Sequence, residues 1–150
     1  LIETTVRVNK ARKQKMAQKI VDALDGNVKG KTIAMLGLTF KPNTDDMRDA
    51  PSLMIIPALQ DNGAKIRAYD PEGMSQAKAV LDNVEFAQSA YAAIEGADAL
   101  VLVTEWDAFR ALDLAKIKTL LKSPVVVDLR NVYRPDEMQR HGFAYVSVGR

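Results

Sequence analysis

The side chains best suited to chemistry in this chain sit just past its apolar runs. Lys41 and Arg48 follow the first run in "TIAMLGLTFKPNTDDMRDAPS", and Arg130 follows "PVVVD". Lysine offers a compact point charge and arginine a planar fork, so three cations gathered at one place suit a diphosphate or a carboxylate. The competing reading is that Asp45, Asp46 and Asp49 neutralise the loop locally and leave a solvated connection. Spacing alone leaves both open. Length favours the first, because loops beyond roughly 12 residues without structure of their own are usually functional or disordered.

The other chemical candidates carry less. Asp70 closes "KIRAY", the place where a dinucleotide-binding unit puts its ribose-binding acid, but no G-x-G-x-x-G follows Gly37. Asp70-Pro71 therefore reads better as a turn or cap. Trp106, the single tryptophan, follows another strand end and could stack on a base, close a domain interface or simply pack. His141 in "RHG" reads as a helix C-terminal cap interaction and not as a base. With no cysteine, the chain has no disulfide, thiolate metal site or thiol nucleophile of its own, and no metal-binding constellation is visible.

These residues need a scaffold, and the apolar pattern supplies one. Runs at 32–36, 65–69, 99–103, 124–128 and 143–148, with a weaker one at 84–86, read as strands. Helical patterns lie between them: "PSLMIIPALQDNG", "GMSQAKAVLDN", "SAYAAIEGA", "LDLAKIKTLLKS" and "RPDEMQRHG". In the first, Asp49 is a possible N-cap, Pro51 falls near N1, Gly63 stands at the C′ position, and Pro57 predicts a kink or local break. Continuous apolar strands alternating with helices predict a Rossmann-like, doubly wound, mainly parallel α/β sheet with helices on both faces. In such a sheet the ligand lies beyond the C-terminal strand ends, where Lys41, Arg48 and Arg130 fall.

Ahead of this stands a long N-terminal helix over residues 1–24, with Met16, Ile20 and Leu24 on one line and a basic remaining surface. It would be roughly 36 Å long. Gly26 and Gly30 end it, so residues 1–26 read as a helix and 27–150 as the domain. The formal charge of +2, from 21 basic against 19 acidic residues, gives no general pull toward nucleic acid or an anionic membrane. No apolar run approaches the roughly 20 residues of a membrane span and no signal peptide is visible, so the cytoplasm is expected. The start at Leu1 suggests a piece of a larger protein.

Taken in order, "GLTFKPNTDDMRDAPS", "GAKIRAYDP", "ADALVLVTEW", "VVVDLRNVY" and "FAYVSVGR" resemble the UDP-glucose/GDP-mannose dehydrogenases over nearly the whole chain. The domain resembles that family's C-terminal, nucleotide-sugar-binding domain, and the helix resembles the end of its long central helix. The resemblance implies an enzyme with an upstream NAD-binding Rossmann domain and a central helical domain, expected as a homodimer. Such enzymes oxidise the sugar C6 alcohol to a carboxylate with two NAD and one water, through a cysteine of the central domain. Here it implies that Phe40, Lys41 and Arg130 contact the UDP-sugar and that Arg48 reaches toward NAD. "FKPNTDDMRDAPS" is most similar to the members acting on UDP-glucose, ahead of those acting on GDP-mannose or UDP-N-acetylmannosamine. A domain without the rest would be expected to be inactive. The alternative from another class is a stand-alone nucleotide-binding or interaction module that uses the fold without catalysis.

Overall fold

The computed structural model describes residues 14–39, 41–43, 45–47 and 50–148. Phe40, Arg48 and Asp49 lie outside that set, as does the part of the expected N-terminal helix that covers residues 1–13. Residues 14–23 are helical and are labelled α1.

Six strands follow: β1 (Thr32–Leu36), β2 (Lys65–Tyr69), β3 (Val84–Phe86), β4 (Ala99–Leu102), β5 (Val125–Asp128) and β6 (Ala144–Ser147). They form one sheet in the order β3-β2-β1-β4-β5-β6, and every neighbouring pair is parallel. The order reverses between β1 and β4. That is the switch point at which doubly wound sheets open a crevice. The helices are α2 (Ser52–Asp61), α3 (Met74–Val80), α4 (Ala90–Ile94), α5 (Asp107–Arg110), α6 (Leu114–Leu120) and α7 (Pro135–Arg140).

The two-residue period of the strands explains the layers, since successive side chains leave a strand on opposite faces. On β1, Ile33 and Met35 enter one core with Ile20 of α1, Leu24 just after it, Ile55, Ile56 and Leu59 of α2, and Val101 of β4. Ala34 and Leu36 enter the other with Ile94 of α4, Phe109 of α5, Ile117 of α6 and Met138 of α7. The two central strands, β1 after Thr32 and β4, are therefore apolar and buried throughout, as a sheet covered on both faces requires.

The expected pattern differs from the structure in two places. Pro57 does not break its helix: α2 runs unbroken from Ser52 to Asp61. Ile55, Ile56 and Leu59 are fully buried around it, and that packing outweighs the hydrogen bond which proline cannot donate. The short helix α5 was absent from the periodic pattern, because four residues are too few to show a period.

Candidate functional site

At the C-terminal edge of the sheet, the exits of β1, β2, β4 and β5 are tied to one another by hydrogen bonds. Gly37 N–H donates to the Tyr69 carbonyl at 2.9 Å, Val103 N–H to Leu36 at 2.9 Å and Leu129 N–H to Leu102 at 3.0 Å. The loops carrying Lys41, Glu105 and Arg130 thus leave the same edge of the sheet.

Gly37 permits the closest of these approaches. Its φ is +93°, and a Cβ there would stand 2.6 Å from both the backbone nitrogen and the Cβ of Thr104. Thr104, fully buried, donates through Oγ1 to the Thr39 carbonyl at 2.8 Å. The first glycine of this turn therefore serves contact between two strand exits.

Asp70 holds the same loop from the other side. One carboxylate oxygen accepts from Leu38 N at 2.7 Å and Thr39 N at 3.2 Å, and the other from Glu72 N at 2.9 Å and Gly73 N at 2.7 Å. A fully buried carboxylate with four backbone donors is a structural anchor. The turn-or-cap reading of Asp70 holds. Ser52 closes the loop by donating to the Leu38 carbonyl at 2.6 Å.

Lys41 lies beyond these anchors and is exposed, with its carbonyl accepting from the Thr39 hydroxyl at 3.0 Å. The ion pairs among the described residues include none to Lys41. Asp45, one of the acids that could have neutralised it, instead accepts from Gln76 of α3 at 2.8 Å.

Arg130 is built in from two sides. Asp128, fully buried at the end of β5, accepts from Arg130 N at 3.1 Å, Tyr133 N at 2.9 Å and Tyr145 Oη at 2.7 Å. The turn passes through Asn131 at φ +56°, a left-handed conformation that asparagine tolerates better than most residues. The guanidinium is bent across the end of β4, where Nε donates to the Val103 carbonyl at 2.9 Å and Nη1 stands 3.6 Å from Glu105 Oε2. Because β4 lies between β5 and β1, this places the guanidinium on the β1 side of its own strand.

Two expectations about aromatic and imidazole groups resolve as structure. Trp106 is buried at 7% exposure and packs with Phe109 in the second core, so it presents no face for a base to stack on. Its Nε1 has no partner among the described residues. His141 caps α7, with Nδ1 2.9 Å from the Glu137 carbonyl. Among the described residues no cluster of His, Cys, Asp and Glu could hold a metal, and no helix is long and apolar enough to cross a membrane.

Glu105, Thr104 and Asp128 were visible in the sequence as residues at strand ends, without an assigned task. Only the crossing of the Arg130 side chain over β4 gives Glu105 one.

Residues 34–135 match the model of the UDP-glucose/GDP-mannose dehydrogenase family, UDP binding domain. A UDP-glucose 6-dehydrogenase of Rhizobium meliloti is 53% identical over 150 residues, covering 100% of this chain and 34% of that protein. The UDP-glucose 6-dehydrogenase TuaD of Bacillus subtilis is 45% identical, over 100% of this chain and 32% of its own. The solved UDP-glucose dehydrogenase of Pyrobaculum islandicum superposes with a TM-score of 0.77 at 29% identity, covering 96% of this chain and 31% of that one. The chain thus spans about a third of the relatives it matches. By sequence match, fold and strand order, the chain belongs to the UDP-glucose/GDP-mannose dehydrogenase family, over that family's UDP binding domain.

Proposed function

We propose that this chain is the nucleotide-sugar-binding part of a UDP-glucose 6-dehydrogenase, and that Lys41 and Arg130 meet the UDP-glucose. The observation that carries this reading is the bracing of Arg130 across β4 toward β1. A side chain held in that pose at a switch point has lost its rotational freedom before any ligand arrives, which lowers the cost of binding an anion. Lys41, exposed on the neighbouring loop, adds a mobile point charge suited to negative charge on the sugar or diphosphate. Phe40 and Arg48, which the family resemblance adds as substrate and NAD contacts, belong to this proposal and lie outside the described residues.

The reaction proposed for the whole enzyme converts one primary alcohol and one water to a carboxylate, delivering two hydrides to two NAD. The described residues do not form a dinucleotide cradle of their own. Gly37 is committed to contact with Thr104, and the Asp70 carboxylate is committed to four backbone N–H groups. Neither is open to a pyrophosphate or a ribose. NAD and the thiol chemistry therefore belong to upstream parts of the enzyme, and this chain binds, orients and covers the sugar nucleotide. Dimerisation and a cytoplasmic location form part of the same proposal.

The test is steady-state kinetics of Lys41→Ala and Arg130→Ala in the full-length enzyme. Each is expected to lower kcat/KM for UDP-glucose by about tenfold to a hundredfold, since a charge-assisted hydrogen bond contributes roughly 1.5–3 kcal/mol. Normal kinetics in both variants would defeat the assignment.

A further inference from the structure

Arg130 receives support from β4 that the reading above does not require of any particular residue. Val103 supplies its carbonyl at 2.9 Å, and this acceptor is fixed because the Val103 N–H is itself bonded to Leu36. Two residues on, the carboxylate of Glu105 stands 3.6 Å from Nη1, with each side chain 29% exposed. Backbone and carboxylate thus face the guanidinium from the same strand exit. The Nε bond fixes one point of the guanidinium, and the carboxylate near Nη1 bears on a second. Together they select the orientation.

The separation matters. Direct charge-assisted hydrogen bonds between arginine and a carboxylate are about 2.7–2.9 Å long and often engage both arms of the fork. At 3.6 Å through one oxygen, Glu105 attracts the guanidinium without chelating it. A chelating acid would compete with an incoming diphosphate, whereas a near acid restrains the cation and stays out of the fork. Arg110 holds the Glu105 backbone in place, its Nη1 donating to the Glu105 carbonyl at 3.4 Å.

We propose that Glu105 is a positioning residue for nucleotide-sugar binding, acting through Arg130 by holding its guanidinium over the end of β4, on the side that faces β1. This rests on the reading of Arg130 as a contact to the sugar nucleotide. Glu105 itself touches no substrate.

The test compares Glu105→Gln, Arg130→Ala and the double variant in the full-length enzyme, reading KM for UDP-glucose, kcat, the Kd of UDP by calorimetry, and Tm. Glu105→Gln keeps the volume and removes the charge. It is expected to raise KM for UDP-glucose and Kd for UDP by about five- to tenfold, with kcat within about twofold and Tm close to wild type, because half-exposed ion pairs add little stability. In the Arg130→Ala background the same substitution is expected to change neither constant, which a general structural role would not produce. Unchanged KM and Kd in Glu105→Gln, beside raised values in Arg130→Ala, would overturn the positioning role and leave the Arg130 reading standing. Tighter UDP binding in Glu105→Gln would overturn it by showing that the acid competes for the fork. An Arg130→Ala enzyme with normal KM would overturn both.

Discussion

Tyr133 shows how much of this edge depends on single polar contacts. Its hydroxyl donates to the Phe109 carbonyl at 2.5 Å, tying the turn after β5 to α5. Burial pushes its pKa well above the ordinary tyrosine value, and the nearby charge of Asp128 pushes further in the same direction. A pKa raised on folding means that the protonated form is the one the native state prefers. The stabilisation is then fully present below the unfolded-state pKa near 10 and is lost as pH rises toward the folded value. Tyr133→Phe is accordingly expected to be less stable than wild type by about 1 kcal/mol at neutral pH, for the lost hydrogen bond. That gap should close progressively above about pH 10, at up to about 1.4 kcal/mol per pH unit. Chemical denaturation of both proteins at a series of alkaline pH values measures it. A gap that stays constant with pH would show that the hydroxyl titrates as it does in the unfolded chain.

Among the elements, the loop after β1 shows where sequence was legible and where it was not. The strands could be read because most are apolar runs between turn residues, and the structure departs from the expected bounds by a residue at most at either end, as at β4, β5 and β6. Of the caps, Gly63 could be read and follows α2 with φ +90°, whereas Ser89 and Asp113, which accept from the backbone at the starts of α4 and α6, were not picked out, and Asp49 lies outside the described residues. What could not be read was the partner of Gly37. A glycine after β1 lets the chain leave the strand tightly, but only the position of Thr104, far along the sequence, shows which strand exit it must admit. The same holds for Glu105, whose partner Arg130 comes from another strand. Long-range contacts leave no periodic trace. Gly37→Ala therefore discriminates sharply: it adds a methyl 2.6 Å from a backbone nitrogen at a φ that alanine avoids. The expected cost is about 2–5 kcal/mol, from left-handed strain together with overpacking. Thermal unfolding checks it, and a Tm within a degree of wild type would mean that the two strand exits are not in tight contact.

At the scale of the molecule, the sheet has the strand order of a dinucleotide-binding domain, yet its two signature positions are engaged internally. Asp70 closes a ring of backbone donors around the first loop, and Gly37 lets β4 come close. The chain also contains no cysteine, so it holds no thiolate for the thiol chemistry proposed for the whole enzyme. A domain of this kind contributes binding energy, and binding energy accelerates a reaction only where it meets groups that are reacting. The chain alone, mixed with UDP-glucose and NAD, is therefore expected to release no reduced nicotinamide. It should still melt cooperatively, because both faces of its sheet carry a buried core of their own. Following nicotinamide absorbance beside a thermal melt of the same sample separates the two properties. Turnover by the folded chain alone would show that hydride transfer needs nothing beyond these residues, and the division of labour proposed for the enzyme would then be wrong.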